Sequence, residues 1–107
     1  MNYDLAIPEY SQAPEPEDLV VCTDVLEHVE PEYTDAVLDD LKRCAKKYLY
    51  VTICVVPAMK SLPDGRNAHI NLRTPSEWVI DLCKRFMPQA IETEKHHVKG
   101  IFAKLDD

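Results

Sequence analysis

Asp24, Glu27 and His28 fall in one short run, Thr23-Asp24-Val25-Leu26-Glu27-His28. A carboxylate beside an imidazole can act as an acid–base pair, because histidine changes charge near neutral pH. The same side chains can also serve structure. Asp24 can cap the turn that follows it, as Asx residues often do, and Glu27 with His28 can orient the loop. A second group, Arg66, Asn67 and His69, lies in the polar stretch AMKSLPDGRNAHINLR, residues 58–73. Loops on a rigid scaffold carry function more often than core positions do, and a solvated loop is the plainer alternative. His96 and His97 are adjacent. On a strand they would point to opposite faces and could not chelate one ion, so no metal site is expected.

Elements that would position these residues can be read from pattern. Leu19-Val20-Val21-Cys22 is an unbroken apolar run ending at Thr23-Asp24, the habit of a strand buried on both faces of a parallel sheet. Pro31 can open a helix. Tyr33, Val37, Leu38, Leu41, Cys44, Ala45 and Tyr48 then recur at helical spacing, which predicts an amphipathic helix over Pro31–Lys47 with Lys46 and Lys47 on its wet side. Tyr48–Val56, YLYVTICVV, reads as a second buried strand ended by Pro57. Pro63-Asp64-Gly65 reads as a turn.

Thr74-Pro75-Ser76-Glu77 predicts a helix start, with Thr74 as cap, Pro75 in the first turn and Glu77 closing a capping box. That helix would bury Trp78, Val79, Leu82, Cys83 and Phe86, with Pro88 past its end. Residues 89–95 and 100–105 alternate as an antiparallel pair, with Gly100 near the turn. The order is strand, helix, strand, helix, strand, strand. Residues 1–17, with Pro8, Pro14 and Pro16, form a proline-rich arm. Residues 18–107 form the α/β core of a single domain.

Composition narrows the function classes. A chain of 107 residues, 46% hydrophobic and 29% charged, suits one globular domain. Its formal net charge of -7 makes it a poor partner for nucleic acid or an anionic membrane surface. No stretch approaches the roughly 20 apolar residues of a membrane span. The segment MNYDLAIPEY lacks the basic flank and apolar core of an export signal. Cys22, Cys44, Cys54 and Cys83 each sit in apolar surroundings without a C-x-x-C pair, as buried reduced thiols do. A cytoplasmic location is expected.

DLVVCTDVLEHVEP, residues 18–31, resembles the fourth strand and following loop of class I S-adenosylmethionine-dependent methyltransferases. The later elements follow in that family's order, so the resemblance extends over residues 18–105. It implies a truncated Rossmann-like α/β sheet of order β-α-β-α-β-β with a terminal antiparallel hairpin. It implies S-adenosylmethionine as cofactor, with Asp24, Val25 and Leu26 at its methionine end, Val25 and Leu26 also anchoring the loop in the core. Asn2-Tyr3-Asp4 resembles the end of the family's second strand, which would make Asp4 a ribose ligand. Glu27, His28, Arg66, Asn67 and His69 would lie near the methyl acceptor or support the loops there.

The sequence departs from the family in one respect. A glycine-rich loop that approaches the cofactor is expected after a first strand. The only glycines here are Gly65 and Gly100. With that half absent, weak or no independent activity is expected, or a role as one part of a split enzyme. The alternative is a non-enzymatic interaction module. Residues 19–22 would then form an exposed sheet edge, suited to a homodimer or to a partner carrying the missing strands.

Overall fold

The computed structural model describes residue 3 and residues 15–105. Asp4, the expected ribose ligand, and most of the proline-rich arm lie outside the described residues. A four-stranded sheet forms the body, in the order β1 (Glu17–Thr23), β2 (Ala45–Cys54), β4 (His97–Lys104), β3 (Phe86–Thr93). β1 and β2 run parallel, with Leu19 opposite Tyr48 and Cys22 opposite Val51. β4 is antiparallel to both of its neighbours and lies between β2 and β3. The α/β class and the terminal antiparallel pair thus match the sequence reading. The last strand, however, is inserted into the sheet rather than added at its margin.

Two short helical turns, Leu26–His28 and Pro31–Tyr33, precede α1 (Thr34–Cys44). Helix and strand meet without a linker: Cys44 ends α1 and Ala45 begins β2. The expected helix through Lys47 is therefore too long. Ala45, Lys46 and Lys47 fit the helical spacing, but Ala45 pairs with Glu17, and Tyr48 pairs with both Leu19 and Ala103. Ladder bonds on both sides of a central strand outweigh a local helical preference.

The second helix follows the sequence signals closely. α2 spans Pro75–Cys83, and Thr74 and Glu77 form a reciprocal capping box. It buries Trp78 and Leu82 completely, while Val79 and Cys83 are only partly covered. Phe86 is buried too, but it opens β3 instead of ending the helix. Pro88 is likewise inside β3, beside a register shift between Pro88 and Ala90. Proline is tolerated there because β3 is at the sheet margin and is locally bulged.

Gly100 is not at the turn. It lies inside β4, opposite Val51 and Ile91. A Cβ at this position would come 2.7 Å from the Phe102 ring, so glycine is needed for close packing.

Both helices cover the same side of the sheet. Leu38, Leu41, Trp78 and Leu82 join Val20, Cys22, Leu49, Val51, Ile53 and Phe102 in one buried cluster. Residues on the opposite side alternate with these. Leu19 pairs with Tyr48, Tyr48 and Met87 pair with Ala103, and Tyr50 pairs with Ile101. Leu19, Tyr48, Met87 and Ile101 remain 45%, 45%, 52% and 42% exposed. Among the described residues, one sheet face is thus packed beneath both helices and the other carries half-exposed apolar side chains. No helix among the described residues is long and apolar enough to cross a membrane.

Candidate functional site

The candidate residues gather at the C-terminal ends of the parallel strands β1 and β2, where open α/β sheets bind ligands. Asp24 is the first residue past β1 and has a positive φ of 55°. Asparagine and aspartate tolerate that left-handed geometry better than most residues. Its N–H donates to the Thr52 carbonyl at 2.9 Å, and its carboxylate accepts from the Thr52 hydroxyl at 3.2 Å. Its side chain is 59% exposed, with His97 Nε2 4.0 Å away. His97 starts β4, and no local pattern signals its approach to Asp24. Thr52, inside a β-branched run, was equally hidden.

Val25 is partly covered, and Leu26 is fully buried. Leu26 therefore anchors the loop from within the core. Glu27 follows it inward and is 1% exposed. Its Oε2 accepts from the Cys54 N–H at 3.2 Å, whereas Oε1 has no hydrogen-bond partner. Burial raises the Glu27 pKa above the ordinary carboxylate range, against the lowering effect of its backbone hydrogen bonds.

Two loops are laced together around this carboxylate. The Asn71 N–H donates to the Glu27 carbonyl at 3.1 Å. His28 Nδ1 lies 3.0 Å from the Ala68 carbonyl, and His69 Nδ1 lies 2.6 Å from the Val56 carbonyl. The rings of His28 and His69 meet edge to face, with centroids 4.9 Å apart. The structure therefore unites Glu27, His28 and His69, which sit more than 40 positions apart at the extremes of the set.

Arg66 and Asn67 have other work. Arg66 makes a forked pair with Glu30 at 3.0 and 2.9 Å and a further contact with Asp64 at 2.7 Å. That guanidinium holds the Glu30 carboxyl below its ordinary range. Asn67 spans its loop: Oδ1 accepts from Ala58 N–H and His69 N–H, and Nδ2 donates to the Ala58 carbonyl. The expected turn is present, with Gly65 at φ 90°. Both side chains brace the loop that presents His69.

No protein-family model and no curated protein matches this sequence. Solved structures do match in fold. The 1,6-didemethyltoxoflavin-N1-methyltransferase of Burkholderia thailandensis aligns with a TM-score of 0.65 and 19% identity, over 95% of this chain and 50% of that one. The N-methyltransferase NodS of Bradyrhizobium japonicum aligns at 0.62 and 13%, over 92% and 50%. The magnesium protoporphyrin IX methyltransferase of Synechocystis aligns at 0.60 and 16%, over 88% and 48%. The chain thus spans about half the length of each of these structures. These likenesses establish that it has a class I methyltransferase fold over the matched part.

Proposed function

We propose that this chain is an S-adenosylmethionine-dependent methyltransferase-like protein that supplies one wall of a cofactor site and works as one part of a split enzyme. The observation that carries this reading is an exposed Asp24 at the end of β1, beside a sheet that the described helices cover on one face. The three matched structures are themselves methyltransferases, described with S-adenosylhomocysteine in each case.

The described residues fit one side of such a cofactor. Asp24 and the partly covered Val25 face the strand ends, and Leu26 holds them in place from the core. A glycine-rich turn with free backbone donors, which would grip the other side, is not among the described residues. Methyl transfer depends mainly on holding a donor methyl in line with a nucleophile. With one wall, positioning is poor, so activity of the chain alone would be weak or nil. Polypeptide that completes the fold would cover Leu19, Tyr48, Met87 and Ile101. Tyr3 meets β1 through an N–H bond to the Val21 carbonyl at 2.8 Å.

The same half-exposed apolar face favours a second reading, a non-enzymatic homodimer. Two measurements separate the readings. A thermal-shift titration with S-adenosylhomocysteine at millimolar concentration should stabilise the chain, and Asp24→Ala should reduce the effect. No shift at that concentration argues for the interaction module. Light scattering should show self-association that Ile101→Lys weakens without loss of fold. A chain that stays monomeric at high concentration removes the homodimer reading.

A further inference from the structure

We propose that Glu27, His28 and His69 form a binding site for a divalent first-row transition-metal ion of the zinc, cobalt or manganese type. This inference goes beyond the methyltransferase reading and does not rest on it.

The three side chains can each offer a ligand atom within 4.8 Å of the others. Their hydrogen bonds then decide which atoms are available. A backbone carbonyl only accepts, so the contacts to Ala68 and Val56 assign a proton to Nδ1 of His28 and of His69. In the neutral rings this leaves a lone pair on each Nε2. Metal-binding histidines are commonly fixed in this way, with the second ring nitrogen donating to a carbonyl. On Glu27, Oε2 is satisfied by Cys54, while Oε1 is buried and unpartnered. A buried carboxylate oxygen without a donor is costly. With Nδ1 of both rings held by carbonyls, the acceptors left to the cluster are the two Nε2 atoms and Oε1 of Glu27, and a cation would satisfy them together.

The donor set selects the ion. Magnesium and calcium prefer all-oxygen surroundings. Two imidazoles and one carboxylate suit zinc, cobalt, manganese or iron, and three protein ligands leave a position open for exchange. His28 is exposed, which gives the ion a route from solvent. The expectation that no metal site exists rested on His96 and His97. His96 lies in the turn before β4 and His97 opens that strand, and neither belongs to this cluster.

The test is a calorimetric titration of the metal-free full chain with cobalt(II) and with zinc(II), together with the visible absorption of bound cobalt. One ion per chain is expected. His69→Gln and Glu27→Gln should each weaken binding by at least the roughly 10- to 100-fold that loss of an outer-shell partner costs. Substituting His96 and His97 together by alanine should leave affinity unchanged, and an equal concentration of magnesium should not compete. Circular dichroism of each metal-free variant checks the fold, and His69→Gln decides if the buried Glu27 variant fails to fold. Absence of binding to either metal overturns the proposal. So does binding that the Glu27 and His69 variants leave intact, or binding that the paired His96 and His97 substitution removes.

Discussion

Thr52 holds Asp24 twice, accepting its backbone N–H with a carbonyl and donating a hydroxyl to its carboxylate. The double tether keeps Asp24 in a left-handed conformation at the end of a strand. Asp24→Asn should retain stability within about 0.5 kcal/mol, because asparagine accepts the same backbone geometry. Asp24→Val should cost roughly 1–2 kcal/mol from the conformation alone. Urea unfolding of the two variants measures the contrast. Equal stability would show that the tether does not govern this turn.

Gly100 and Phe102 share one side of β4, and the space above Gly100 is taken by the Phe102 ring and by the Ala90 carbonyl. Gly100→Ala should destabilise the protein by about 1–3 kcal/mol, the usual cost of overpacking a filled core. Adding Phe102→Leu should recover part of that loss. Chemical denaturation of the single and double variants reads the coupling, and strict additivity would refute it.

Cys22 is completely buried, and burial pushes its thiol up to about 12. Burial and the hydrogen bond to Asp40 raise Tyr3 as well. Each group keeps its proton in the native state longer than in the unfolded chain, where a cysteine ionises near pH 8.5 and a tyrosine near 10. The unfolded state therefore binds fewer protons, and stability falls as pH rises through this range. For Cys22 the fall starts near pH 8.5 and continues to about 12, at no more than about 1.4 kcal/mol per pH unit. Cys22→Ala should make the part below pH 10 shallower and leave the contributions from Cys44, whose thiol burial also raises, and from Tyr3. An unchanged slope in unfolding midpoint against pH would contradict this account.

The sequence made some of this architecture readable and concealed the rest for identifiable reasons. Leu19–Cys22 is apolar without interruption, so its strand was visible. Thr74, Pro75 and Glu77 carry a local capping signal that needs no tertiary contact, and the structure contains it. The end of α1 was obscured because Ala45 and Tyr48 extend its periodicity, while the strand partners that claim them are remote. Phe86 follows Leu82 at helical spacing and was assigned to the helix for the same reason. Of the candidate site, Asp24, Glu27, His28 and His69 were identifiable as residue types. Their union depends on backbone hydrogen bonds between two loops, and no periodicity encodes those. Nor did the sequence distinguish the exposed Asp24 from the buried Glu27, since both fall in one polar-looking run.

The direct passage from α1 into β2 gives the chain two very different tolerances to length change. An inserted residue between Cys44 and Ala45 would have no loop to absorb it. It would either tear the start of β2 from β1 or rotate the strand by one step, sending Leu49, Val51 and Ile53 to the opposite face. Around Pro63-Asp64-Gly65, an added residue lengthens an exposed turn at small entropic cost. Variation in length should therefore accumulate near that turn, leaving the helix–strand seam as a fixed ruler for the distance between α1 and the strand ends that carry Asp24 and Glu27.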